Sequence, residues 1–139
     1  MNVNDFQHIE VPEGDLLEGI FTAQQGLLAK YHEIEENRGA LVVDPKQFGD
    51  IDNRFVQWRL KDLNARCIEE LMEAMNTLKN KQWKVSEVST DKVHFYEELI
   101  DALHFYVELC ITAGMTAQDV AKVYHRKHAV NQFRQASEY

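Results

Sequence analysis

The sequence predicts an all-α fold, a bundle of four helices forming a single domain. Three observations carry this. Apolar residues recur at three- and four-residue steps through four separate segments, the spacing that lines one face of a helix. Residues that break helices are scarce and segregated: both prolines and five of the six glycines lie in the first 50 residues. The connections between periodic segments are short, which suits antiparallel neighbours in a bundle. A chain of 139 residues has room for one modest core, so a single domain is expected over residues 15–139.

Residues 1–14 are polar, end in Pro12 and Gly14, and are expected to form a flexible lead-in. From Asp15 to about Glu36 the apolar positions Leu16, Leu17, Ile20, Phe21, Leu27, Leu28, Tyr31 and Ile34 predict the first helix. Arg38-Gly39 and Asp44-Pro45 mark a connection around Leu41-Val42-Val43. The second helix is expected from about Asp50 to Lys79, with Val56, Leu60, Leu63, Cys67, Leu71, Met75 and Leu78 as its buried stripe. A polar link over Asn80–Thr90 follows. The third helix is expected from about Asp91 to Ala113, its stripe being Phe95, Leu99, Leu103, Tyr106 and Cys110, with Gly114 as the stop. Thr116-Ala-Gln-Asp119 looks like an N-cap with an acidic residue in the first turn, opening a fourth helix.

Composition excludes several functional classes. Fifteen Lys and Arg stand against 23 Asp and Glu, a formal net charge of -8, so a nucleic-acid polymer would meet net repulsion. Hydrophobic residues at 45% are too many for a disordered chain. Cys67 and Cys110 lack CxxC spacing and read as core thiols of a reducing compartment rather than zinc ligands. No stretch resembles a signal peptide or approaches membrane-spanning length, so a soluble cytoplasmic protein is expected.

The chemistry concentrates in two carboxylate pairs on the longest helices. Glu70 and Glu73 lie on the second helix and Glu98 and Asp101 on the third, each pair spaced i, i+3 and so side by side on one face. Measured from Leu60, Glu70 falls at about 280° and Glu73 at about 220°; measured from Leu99, Glu98 falls near about 260° and Asp101 near about 200°. Both pairs flank the predicted stripes on the same side. Antiparallel packing of the two helices would therefore bring four acids to one edge of the contact. No cluster of arginines accompanies them. Hard oxygen ligands in that number suit Mg²⁺, with Mn²⁺ able to substitute. A Glu pair at this spacing is also the ordinary make-up of a solvated helix face, and that reading stays open.

At these residues the sequence resembles the all-α nucleoside triphosphate pyrophosphohydrolases, the MazG and dimeric dUTPase superfamily. Their acidic motif, ExxE on one helix and ExxD on a second, matches Glu70-x-x-Glu73 and Glu98-x-x-Asp101, with 24 residues between. Tyr124-His125-Arg126-Lys127, Asn131 and Arg134-Gln135 are similar to the YxxKxxxNxxRQ segment of the dimeric dUTPases and phage dCTP/dUTP pyrophosphatases. The Cys67-Ile-Glu-Glu70 and Asp101-Ala-Leu-His-Phe105 runs, Ala113-Gly-Met115, and Ala23-Gln-Gln-Gly-Leu27 on the first helix are similar as well. The link carrying Asn76, Lys79, Lys81 and Trp83 departs from the dUTPase pattern by one residue, and the added helices of the longer dUTPases are missing.

The resemblance implies a MazG-like bundle that is oligomeric, a homodimer or a dimer of dimers. It also implies Mg²⁺-dependent cleavage between the α and β phosphates of a deoxynucleoside triphosphate, giving the monophosphate and pyrophosphate. Glu70, Glu73, Glu98 and Asp101 carry over as metal ligands. A carboxylate must also orient or deprotonate water; Glu70 and Glu73 border that position, and Glu69 is either a water-activating group or a plain exposed residue. Lys127, Arg134 and Lys81, with Lys79 less directly, are implied phosphate contacts. Gln24, Tyr124 and Asn131 are implied contacts to base or sugar, and Trp83 is either a stacking partner or core. His104 between Leu103 and Phe105 reads as a satisfied interior histidine. His125 and His128, beside Arg126 and Lys127, do not suit a metal.

The expected substrate is dUTP or dCTP, in a cytoplasmic enzyme similar to phage members, working in the host cytoplasm if phage-encoded. Two alternatives remain: the same reaction on dGTP or dATP, and a non-enzymatic helical interaction protein whose acids are solvated surface. No nucleic-acid polymer and no membrane is expected as partner. The first helix has apolar residues wide enough to bury on more than one partner, which also points to a homo-oligomer.

Overall fold

Each long helix starts on a side chain placed to accept the backbone N–H groups that the first turn leaves without partners. In the computed structural model, which describes residues 6–137 (Gln7 by its backbone alone), these are Asp15, Asn53, Asp91 and Thr116. They open α1 (Leu16–Asn37), α2 (Arg54–Asn76), α3 (Lys92–Thr112) and α4 (Ala117–Ala136). At α4 the cap is reciprocal: Asp119 N–H donates to Thr116 Oγ1 at 3.1 Å, and Thr116 N–H donates to Asp119 Oδ2 at 2.9 Å. Two short 3₁₀ turns, Phe6–His8 and Pro45–Gln47, complete the secondary structure, and the described residues contain no strand. The fold is all-helical, as expected. Of the predicted lead-in, positions 1–5 lie outside the described residues, as do Glu138 and Tyr139 of the predicted domain.

α2 is shorter than predicted at both ends. Asn53 Oδ1 takes the N–H groups of Phe55 and Val56, so Asp50–Asp52 stay in a turn. At the other end Thr77 turns its hydroxyl back onto the Ala74 carbonyl at 2.8 Å, and the chain leaves the helix there. α2 and α3 form the main packed pair. Their contacts set an antiparallel register: Arg59 pairs with Glu108, and Cys67 donates its thiol to the Ala102 carbonyl. α1 lies across the C-terminal half of α3. Phe21 there joins Val107, Cys110, Ile111 and Ala117 in the buried cluster, with Leu17, Leu28, Phe48, Met115 and Val120 around it.

The loop before α2 is tied to the end of α3 by an approach that only glycine permits. Gly49 N–H donates to the Thr112 carbonyl at 3.0 Å, and a Cβ on Gly114 would lie 2.6 Å from the Gly49 Cα. Both residues have φ of +88°, in the left-handed region. The chain then bends by 101° between α3 and α4, so α4 leaves the α3 axis nearly at right angles and touches chiefly α1. Beyond its first turns α4 is exposed along its length. No single helix among the described residues is long and apolar enough to cross a membrane.

The two predicted stripes need correction. Val56, Leu63 and Cys67 face α3, but Leu71, Met75 and Leu78 are exposed, and the buried positions continue instead through Glu70 and Ala74. On α3 the buried face runs through Val93, Glu98, Ala102, Val107 and Cys110, while Leu99, Leu103 and Tyr106 remain exposed. Small Ala74 and Ala102 let the helices approach closely on the acid-bearing side. The larger apolar residues are left on an outer face.

Candidate metal centre

The register set by Arg59–Glu108 and Cys67–Ala102 continues one turn further and brings Glu70 and Glu73 opposite Glu98. Each of these three offers a carboxylate oxygen, and the three oxygens lie within 4.8 Å of one another. Glu98 is 9% exposed, Glu70 is half-buried and Glu73 is open to solvent. Asp101, also exposed, stands beside the trio rather than within it, close enough that its charge acts on Glu70.

The electrostatics of the group are unbalanced. Burial, then the charges of Glu73, Asp101 and Glu98, push the Glu70 carboxyl above its ordinary value, and its hydrogen bond with Glu98 favours the protonated form. Two carboxylates 4.8 Å apart repel by on the order of 3 kcal/mol at an effective dielectric near 20. Among the described residues the only basic side chain at ion-pair distance from these acids is His94, whose Nε2 is 3.4 Å from Glu98 Oε1. The nearby arginines are committed elsewhere. Arg66 pairs with Asp62 and Glu69, and Arg59 with Asp62 and Glu108. An all-oxygen donor set with an excess of negative charge fits a hard divalent cation such as Mg²⁺ or Mn²⁺.

The remaining predicted site residues are scattered. Glu69 is exposed, with Arg66 Nη1 3.5 Å from its Oε2, on the outer side of α2. Lys81 sits over the Trp83 ring at 5.9 Å in the α2–α3 link, and both are exposed along with Lys79. Trp83 is therefore not core. Tyr124, Lys127, Asn131 and Arg134 lie on the projecting α4, and all are exposed. Tyr124 stacks on His128 and meets His125 edge-on. Gln24 is only 6% exposed, on the stretch of α1 that packs on the C-terminal half of α3. Its neighbour Phe21 packs on Val107 and Cys110, about 14–18 Å along α3 from Glu98. Among the described residues α4 meets chiefly α1, and Gln24 lies with Phe21 toward the other end of α3. His104, expected in the interior, is exposed, because it falls on the outer side of α3.

Two residues at this end of the pair were not singled out by sequence. His94 is i, i+4 from Glu98, a spacing that could have flagged it. Asn80 donates to the Val88 carbonyl at 2.9 Å and accepts from the Val88 N–H at 2.8 Å, closing the link that leads into α3. An isolated Asn gives no sequence signal for such a clasp. Comparison with protein families, with characterised proteins and with solved structures finds no match to this chain.

Proposed function

We propose that the chain is a Mg²⁺-dependent nucleoside triphosphate pyrophosphohydrolase of the MazG-like type. It would cleave the α–β phosphate bond of a deoxynucleotide, dUTP or dCTP first, to give the monophosphate and pyrophosphate. The observation that carries this reading is the convergence of Glu70, Glu73 and Glu98 within 4.8 Å, with Asp101 beside them and His94 the basic side chain paired with them among the described residues. A resident cation there supplies charge neutralisation for phosphate oxygens and acidifies water. Glu70, Glu73 and Glu98 would hold it, with Asp101 completing the set. Glu98 is fixed by burial and by His94, whereas the exposed Glu73 and Asp101 can adjust to a phosphate. Burial and the neighbouring acids raise the Glu70 carboxyl, and a cation there would favour its ionised form.

The basic residues support an oligomeric reading. Lys127, Asn131 and Arg134 are exposed on α4, which packs chiefly on α1, an arrangement suited to contacting a triphosphate at the site of a second copy. Ile68, Leu71, Met72 and Met75 on α2, with Leu99, Ile100 and Leu103 on α3, are exposed apolar residues on which that copy would sit. The assembled protein would be a homodimer or a dimer of dimers.

Pyrophosphate release from a panel of dNTPs with Mg²⁺ tests the reading. Hydrolysis of dUTP or dCTP is expected, with Glu73→Gln and Asp101→Asn each losing at least a hundredfold in kcat/KM. Hydrolysis confined to dGTP or dATP would keep the chemistry and change the substrate. If no dNTP is cleaved and Mg²⁺ leaves the thermal stability unchanged, the acids are solvated surface and the chain is an interaction protein.

A further inference from the structure

At the end of the α2–α3 pair away from the acid cluster lies a cavity of about 410 Å³, enclosed by α1, the Pro45–Gln47 turn and the facing ends of α2 and α3. Two polar residues of α3 line it one helical turn apart: Glu108, 4% exposed, and Thr112, 2% exposed. Arg59 Nη2 donates to Glu108 Oε1 at 2.8 Å. The second oxygen of Glu108 and the hydroxyl of Thr112 make no hydrogen bond within the described chain. Yet no fully buried side-chain nitrogen or oxygen among the described residues lacks a partner. Each of those oxygens therefore keeps some exposure, and both residues line the cavity.

We propose that this cavity is a second small-molecule site, taking a planar nitrogen heterocycle of nucleobase size through Glu108 and Thr112. Glu108 accepts from a ring N–H or exocyclic amine, and the Thr112 hydroxyl donates to, or accepts from, the neighbouring ring position. Leu28, Val43, Phe48 and the rings of Tyr31 and His32 supply apolar and aromatic walls for a flat ring. The volume lies in the range of small-ligand clefts. A phosphate does not suit the site. Glu35, Asp62 and Glu108 outnumber Arg59, whose guanidinium is already bonded to Glu108 and Asp62. Ten residues of α3, about 15 Å, separate Glu108 from Glu98, so the site stands apart from the acid cluster and does not rest on its metal reading.

The test is titration of the intact protein in EDTA with deoxycytidine, deoxyuridine, deoxyadenosine and deoxyguanosine, followed by amide chemical shifts. At least one nucleoside is expected to bind and to shift the Glu108–Thr112 amides. Ala29→Phe, an exposed change on α1 at the cavity mouth, should weaken that binding at least tenfold, as should Thr112→Val. Glu73→Gln should leave it unchanged, and inorganic pyrophosphate should not bind in EDTA. The proposal is overturned if no nucleoside shifts those amides at millimolar concentration, or if binding is the same in Ala29→Phe. Pyrophosphate release in Mg²⁺ is read separately, so failure of one site is distinguishable from failure of the other.

Discussion

Glu98 and Glu108 are both buried on α3, yet the chain treats their charges in opposite ways. Glu108 is met by Arg59 at 2.8 Å, and Arg59 is held in turn by Asp62 at 3.0 Å. Glu108 is thus met by a cation within the molecule. Glu98 faces Glu70 and Glu73 and has only a histidine beside it. A buried carboxylate with an internal cation has its countercharge at hand, whereas a partly buried cluster of like charge is relieved by protonation or by a cation from outside. One end of the α2–α3 pair therefore carries its own countercharge, and the other does not.

The largest effect should come from breaking the paired end. Arg59→Met leaves Glu108 buried without its partner, and a loss of about 3 kcal/mol is expected by urea denaturation, at the low end for buried pairs because Arg59 is partly solvated. Glu98→Gln should go the other way in EDTA, holding or raising stability, because it removes repulsion. The same variant should lose most of the stabilisation by Mn²⁺, which for the parent at a hundred times its dissociation constant amounts to about 2.7 kcal/mol. If Glu98→Gln were as destabilising as Arg59→Met, the two carboxylates would not differ as described.

A smaller effect separates the two ends by pH. The Glu70 carboxyl sits above its ordinary value of 4.5 in the folded chain, so folding takes up a proton in the window just above that value. Its contribution is fully present below the unfolded pKa and is lost as the pH rises through the folded one. In EDTA the urea midpoint should thus fall on going up from about pH 4.5, with saturating Mn²⁺ cancelling the fall because the cation favours the ionised form. Burial also raises Glu108, against the pull of Arg59, so part of the trend should survive in Glu70→Gln. A slope unchanged by Glu70→Gln would assign the whole effect to Glu108.

The four helices and their caps were legible in the sequence because each signal is local. Thr116 and Asp119 meet as a capping box from positions three apart, and Asp15, Asn53 and Asp91 accept from amides two or three residues further on. The i, i+3 acid pairs were legible for the same reason. Which face of α2 meets α3 was not. Periodicity favours the side with the larger apolar residues, but Ala74 and Ala102 permit the closer contact, and that side carries Glu70 and Glu98. The rotation left Leu71, Met75, Leu99 and Leu103 outside. It also brought three of the four predicted ligands closer together than flanking positions would. The Arg59–Glu108 pair joins positions 49 apart, and no spacing rule reaches that far.

The smallest expected effect tests where the acid cluster ends. Glu69 adjoins Glu70 in sequence, but about 100° of helical rotation carries it to the outer side of α2, where it pairs with Arg66 at 3.5 Å. Both side chains are more than half exposed, so water screens the pair and Glu69→Gln should change stability by less than about 0.5 kcal/mol. Turnover on the best dNTP should fall less than tenfold, since Glu69 stays with Arg66 while Glu70 and Glu73 turn toward Glu98. A hundredfold loss with stability unchanged would show that Glu69 leaves Arg66 to act on water. The catalytic set would then extend around α2 from its buried side to its outer one.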